Sequence, residues 1–263
     1  MRTDPTARAH LADRFAMIAE AAGARIMAIY GAATAEAKAD GSPLTAADLA
    51  AHSAILEGLA DVCPHLPVIS EEDAERLECP PADRFILVDP LDGTREFLSG
   101  NGEFTVNIAL VEHGAPVAGV VFAPALGRLW SGAVGVGARV RQAGDAAGRS
   151  IAVRAPGGTG LVAVASRSHR DAATEAFLAG LTVAGLRSVG SSLKFCLVAE
   201  GEADVYPRFG PTMEWDTAAG HAVLEAAGGR VVTPEGVPFR YGKPGGAWRN
   251  DAFIAWGGVA QPG

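Results

Sequence analysis

The sequence predicts an α+β to α/β fold in two halves, and three observations predict it. Apolar residues recur at three- and four-residue intervals near the N-terminus, short strands and tight turns occupy Phe104 to Gln142, and beyond Leu161 apolar strands alternate with amphipathic helices. The first half, residues 1–148, is then a largely antiparallel sheet with two helices, and the second, residues 149–263, an α/β unit. With 263 residues, 49% of them hydrophobic and 20% charged, the chain can bury a sizeable core and does not have a disordered composition.

Leu11, Phe15, Ile18, Ala22, Ile26 and Ile29 form one face of a first helix, with Gly31 as its stop. The polar stretch KADGSPLT precedes a second helix from Ala46 to Val62, and Thr45 and Asp48 have the spacing of a capping box at its start. PVIS and RFILV are short apolar runs bounded by Pro and Asp, which suits buried strands. FTVNIALV, PVAGVVFA, RLWSGAVG and GARVRQ follow with turn signals between them, an antiparallel meander. QAGDAAGRS, small, polar and glycine-containing, marks the boundary between halves. After it LVAVAS, TVAGLRSV, ADVYPRF, RVVT and DAFIAW read as strands, separated by the helical stretches RDAATEAFLAGL, SSLKFCLVAEG and WDTAAGHAVLEAAGG.

Several function classes are excluded by composition. A net charge of −8 is the opposite of the basic footprint that a nucleic-acid polymer requires. The three cysteines, Cys63, Cys79 and Cys196, lack metal-ligand spacing and read as thiols of a reducing compartment. The N-terminal MRTDPTARAHLADRF has acids and no apolar export core, and no run of 18 uncharged apolar residues exists for a membrane span.

Three strand ends carry acids: Glu71 and Glu72 after PVIS, Asp89 and Asp92 after RFILV, and Asp216 after Trp215. Each has a structural explanation beside the functional one. DPLDG has turn chemistry, SEED reads as a solvated loop, and WD opens a helix as its N-cap. Together, carboxylates converging on one point would repel one another unless a cation neutralised them, and all-oxygen ligands suit a hard ion such as Mg²⁺ or Mn²⁺. Asp89 and Asp92 across a turn, with the Leu91 carbonyl between them, have room for two adjacent ions. Gly93 and Thr94 then open the next segment, with amides placed to meet an anion.

SPLTAADLAAH, PVISEED, LVDPLDGTREFLSGNGEFTVNIALVEHG, SRSH, GSSLKFCLVAEG and YPRFGPTMEWDTAAGHAVLEAAGG together resemble the magnesium-dependent, lithium-sensitive phosphatases of the inositol monophosphatase superfamily, over nearly the whole chain. REFLSGNGEFTVNIAL and GSSLKFCLVAEG are similar to its bisphosphate-nucleotidase branch. The resemblance implies a layered αβαβα sugar-phosphatase-like fold and hydrolysis of the 3′-phosphate of adenosine 3′,5′-bisphosphate to AMP and phosphate in sulfur assimilation, with its phosphosulfate analogue as a further substrate. It implies two Mg²⁺ ions, with a weaker third sharing Glu71 and with Mn²⁺ as a substitute. Glu71, Asp89 and the Leu91 carbonyl would hold the first, and Asp89, Asp92 and Asp216 the second. Thr94 and Asp48 would orient and activate a water near Glu71. Glu71, Leu91, Asp92, Gly93, Thr94 and Asp216 would also face the substrate, while His169, Ser191, Ser192, Lys194 and Arg208 form the nucleotide side. Arg95 stands where the branch usually has lysine, which keeps charge but changes geometry.

A second phosphate on the substrate needs cations, for which Lys38, Arg95, Lys194 and Arg208 are candidates. His221 reads as packing, and Trp215 as the anchor that holds Asp216. An inositol or sugar monophosphate is the alternative substrate, and a noncatalytic nucleotide- or metal-binding regulator the alternative class, although no carboxylate is missing. The expected setting is cytoplasmic, with a peripheral place on the inner face of the membrane and a homodimer both left open.

Overall fold

The computed structural model describes residues 3–30, 35–37, 43–73, 83–145, 147–155, 158, 160–166, 171–243 and 248–258, with the backbone alone for 35–37 and 43–45. Gly31, Lys38, Cys79, His169 and the side chain of Thr45 therefore lie outside the described residues.

Helix α1 (Pro5–Met27) begins at Asp4, whose carboxylate accepts the Ala7 N–H at 2.9 Å. Strands β1 (Ala35–Ala37) and β2 (Pro43–Thr45) pair antiparallel and lead into α2 (Ala46–Val62). Next come β3 (Val68–Ser70), β4 (Arg84–Asp92) and the short α3 (Thr94–Ser99). The meander follows as β5 (Thr105–Glu112), β6 (Ala115–Ala123), β7 (Arg128–Ala133), β8 (Gly137–Gln142) and β9 (Arg149–Ile151). These strands form one seven-stranded sheet in chain order from β3 to β9, antiparallel except for the β3–β4 pair. Because β9 still pairs with β8, the chain leaves this sheet only after Ile151.

The remaining chain alternates as β10 (Leu161–Ala165), α4 (Ala172–Ala179), β11 (Val183–Ser188), α5 (Leu193–Ala199), β12 (Val205–Arg208), β13 (Thr212–Met213), α6 (Glu214–Ala226), β14 (Arg230–Val232), β15 (Arg249–Asn250) and β16 (Phe253–Trp256). A second sheet runs in the order β11, β10, β12, β16, β14, and β13 pairs with β15 apart from it. Helices α1 and α2 cover one face of the large sheet, α5 and α6 lie between the two sheets, and α4 covers the outer face of the second. The expected αβαβα layering is the observed one.

Strand periodicity explains how the layers meet. In β4, Ile86 and Val88 pack with α1 and α2, whereas Phe85 and Leu87 pack with α6 and the second half. Asp89 comes next on the Phe85–Leu87 side. Helix α6 can lie close to the sheet because Gly119 and Gly132 are beneath it: a Cβ added there would come within 2.8 Å of the Ala219 carbonyl oxygen and 2.7 Å of the Val223 Cα. The layer between the sheets is one apolar cluster drawn from both halves, including Trp130, Phe195, Tyr206, Val223 and Phe253.

DPLDG corrects one expectation. The segment is not a turn that ends the strand, for β4 runs on to Asp92 with Asp89 opposite Asn107 and Asp92 opposite Thr105. Three steps along β4 match two along β5, which makes this a β-bulge. The bulge re-aims both acids while the ladder on either side stays intact.

Candidate active site

A cavity of about 330 Å³ opens where the bulged end of β4, the start of α3, the turn before α5, strand β12 and the start of α6 converge. Glu71, Asp92, Gly93, Thr94 and Asp216 line it, together with Ser191, Lys194 and Arg208. Ser192, Asp89 and Leu91 are buried behind this lining, and Asp48 is buried in the first turn of α2. Apart from Lys38 and His169, which lie outside the described residues, the expected site residues come from elements at or next to one cavity.

Each central acid commits one oxygen to the protein. Asp89 Oδ1 accepts the Leu91 N–H at 3.1 Å, and Asp216 Oδ2 accepts the Met213 N–H at 2.8 Å, which also secures the start of α6. Asp92 Oδ2 accepts the Ser192 N–H at 2.7 Å, the Asn107 side-chain amide at 3.3 Å and the Thr105 hydroxyl at 3.4 Å. The Ser192 hydroxyl accepts from Asn107 at 3.1 Å and donates to the Asp216 carbonyl at 2.7 Å. Asp92 and Asn107 from one half and Ser192 and Asp216 from the other are therefore tied together. Glu103 adds a further tie across the halves by accepting the Gly190 N–H at 2.8 Å.

Burial and mutual repulsion raise the central carboxyls. Burial pushes the Asp89 carboxyl well above its usual range, and the charges of Glu71, Asp92, Asp216 and Asp48 push it further. Burial and Asp92 raise Asp216 in the same way. Asp92 is raised mainly by burial, with Lys194 and its hydrogen bonds pulling back. Among the described residues no three acidic, histidine or cysteine side chains close tightly enough to enclose an ion as they stand. All-oxygen donors gathered at a cavity fit a hard divalent cation. The residues present fit Mg²⁺.

Gly93, at φ 92°, occupies the left-handed region and turns the chain from the bulge into α3, whose start has no side-chain cap. The Thr94 hydroxyl donates to the Leu91 carbonyl at 3.4 Å. Ser191 is also left-handed, at φ 44°, unusual for a residue with a side chain, and its buried hydroxyl has no hydrogen-bond partner among the described residues. The Lys194 ammonium donates to the Ser191 and Val189 carbonyls and so holds this turn. Burial lowers its pKa to about 8 despite the pull of Asp92. Arg208 Nε and Nη2 donate to the Gly210 and Pro211 carbonyls at 3.1 and 2.9 Å.

Sequence reasoning missed Asn107, the bridge between the halves, and the lining residues Glu96, Ser166, Tyr206, Thr212 and Thr217. Asn107 was detectable as the one amide in the apolar run FTVNIALV, and Tyr206 by its two-residue spacing from Arg208 on a strand. His221 packs as expected, its Nδ1 3.1 Å from the Tyr241 hydroxyl and its Nε2 3.2 Å from Glu225. Trp215, expected as the anchor of Asp216, is buried in the core between the sheets.

Five αβαβα layers with an acid-lined cleft between the two sheets define the class of layered phosphatase-like proteins. The chain belongs to the inositol monophosphatase family, whose model matches residues 10–257. It is 47% identical to the 3′(2′),5′-bisphosphate nucleotidase CysQ of Escherichia coli K12 over 233 residues, covering 87% of this chain and 93% of that protein. The crystal structure of CysQ from Bacteroides thetaiotaomicron superposes with a TM-score of 0.80 at 40% identity, over 94% of this chain and 98% of that one. An IMPase from Thermotoga maritima superposes with a TM-score of 0.75 at 25% identity, over 94% and 91%.

Proposed function

We propose that this chain is a Mg²⁺-dependent phosphatase that hydrolyses the 3′-phosphate of adenosine 3′,5′-bisphosphate to AMP and phosphate in sulfur assimilation, with the phosphosulfate analogue as a further substrate. The observation that carries the proposal is a single cavity that joins a carboxylate cluster to Lys194 and Arg208. A substrate with two phosphates needs both: one end that recruits cations to the reacting phosphoryl group, and another that is itself cationic. The family and the identity to CysQ support the same reading.

In this proposal Glu71, Asp89 and the Leu91 carbonyl hold one Mg²⁺, Asp89, Asp92 and Asp216 hold a second, and a weaker third shares Glu71. Mn²⁺ can take their place. Bound there, the ions supply Lewis-acid polarisation of the phosphoryl oxygens and lower the pKa of the attacking water. Thr94 and Asp48 would orient and activate that water beside Glu71, and the amides of Gly93 and Thr94 would orient the phosphoryl group. Ser191, Lys194 and Arg208 would face the nucleotide, with Ser192 holding their turn from behind. The two sheets, the first of which runs to Ile151, are then held together beside the cavity by the Asp92–Ser192–Asp216 bonds.

No helix among the described residues is long and apolar enough to cross a membrane. A cytoplasmic setting agrees with Cys63 and Cys196, both free thiols. The test is phosphate release from adenosine 3′,5′-bisphosphate and from inositol 1-phosphate, side by side, with Mg²⁺ and with chelator. Strong Mg²⁺-dependent preference for the nucleotide is expected. Preference for the inositol ester would leave the acid cluster as argued and refute the nucleotide assignment.

A further inference from the structure

The wall of the cavity built by β12 carries a polar group to which the proposed chemistry assigns no task. Tyr206 and Arg208 lie two residues apart on this strand, leave it on the same side and both line the cavity. The Tyr206 ring is packed edge-on against Phe195 at 5.1 Å and Phe253 at 5.4 Å, and the residue is only 4% exposed. Its hydroxyl nevertheless has no hydrogen-bond partner among the described residues. A buried tyrosine usually satisfies its O–H within the protein. Here the ring is fixed by Phe195 and Phe253 and the residue lines the cavity.

The neighbours indicate what it meets. The Lys194 ammonium stands 5.2 Å over the centre of the Tyr206 ring, and the Arg208 guanidinium flanks it along the strand. Both cations are held in place by backbone carbonyls, Lys194 by those of Val189 and Ser191 and Arg208 by those of Gly210 and Pro211. Burial keeps the phenol protonated, so it offers a donor. A neutral O–H donor between two fixed cations complements an anion with several acceptor oxygens. The reacting phosphoryl group belongs at the acids, so the anion at this wall is a different one.

We propose that Tyr206 is a specificity residue whose hydroxyl donates to the non-reacting phosphate of a nucleoside bisphosphate, with Lys194 and Arg208 supplying the charge. The proposal rests on the function given above and adds to it the group that reads the second phosphate. A monophosphate ester has nothing to offer this donor, so the hydroxyl separates the two substrate classes.

The test is Tyr206→Phe, which keeps the ring and its aromatic packing and removes an O–H with no hydrogen-bond partner among the described residues. The full chain is assayed with Mg²⁺ on adenosine 3′,5′-bisphosphate and adenosine 3′-monophosphate, and its Tm is measured alongside. The ratio of kcat/KM for the two substrates is expected to fall about tenfold or more, through a higher KM for the bisphosphate, at unchanged Tm. An unchanged ratio, an equal loss on both substrates, a loss carried by kcat or a lowered Tm would each overturn the proposal. If the wild-type protein itself does not prefer the bisphosphate, the functional reading fails first and this proposal falls with it.

Discussion

Asp89 is 1% exposed and sits among four other acids whose charges raise its pKa, so in the absence of a cation it is a liability to the fold. A residue that costs stability where it stands is held there by what it does. Asp89→Asn is nearly isosteric and keeps an oxygen for the Leu91 N–H. It is expected to lower kcat at least about 10²-fold, while the chelated variant has a Tm no lower than that of chelated wild type. A clear drop in Tm under chelation would mean that Asp89 serves the fold. The sequence showed Asp89, Asp92 and Asp216 as acids at strand and helix ends, but not why they converge. That depends on the one-residue bulge in β4, and a bulge and a turn share the signature Asp-Pro and Asp-Gly.

At the scale of elements, the placement of Asp216 depends on how closely α6 rests on the large sheet. In Gly119→Ala the new methyl would meet the Ala219 carbonyl and the Ala222 Cβ, each at 2.8 Å, and backbone cannot yield as a flexible side chain can. The variant is expected to lose about 1–3 kcal/mol of stability, read by urea denaturation, and to lose activity as the start of α6 shifts. Intact activity would show that the site tolerates displacement of the helix. Helices α1, α2, α4 and α6 and the meander were legible because their apolar periods of 3.6 and 2 are long enough to read. The β1–β2 pair, β9, β13 and β15 were not: with two or three residues each, they carry no period and exist through their partners.

At the scale of the whole molecule, two sheets are joined by a shared core and by polar ties, and a further ion pair, where the chain enters the second sheet, is sensitive to acid. Asp204, at the start of the second sheet, accepts Arg154 at 2.8 and 2.7 Å and the Val162 N–H at 2.7 Å. The Arg154 hydrogen bonds hold its carboxyl below the usual range. A depressed folded pKa gives stability that is present above the unfolded value, about 3.9, and is lost as pH falls through the folded one. Asp204→Asn is expected to be about 1–3 kcal/mol less stable at pH 7, and that gap should close as pH falls below about 4. A constant gap across this range would assign the loss to packing. The passage from an antiparallel meander to alternating strands and helices was legible in the change of rhythm near residue 150, whereas the contact between the two sheets was not, since Asn107 and Ser192 meet only in three dimensions.

The central claim is that carboxylates from both halves act as one cation-recruiting site for a nucleoside bisphosphate. The most direct measurement is phosphate release from adenosine 3′,5′-bisphosphate as a function of Mg²⁺ concentration, for wild type and for Asp216→Asn. Wild type is expected to be inactive in chelator and restored by Mg²⁺, and the variant to need much more Mg²⁺ and to plateau at least about 10²-fold lower. A variant with the Mg²⁺ dependence and plateau of wild type would show that the second half contributes no carboxylate to the chemistry, and would contradict the account.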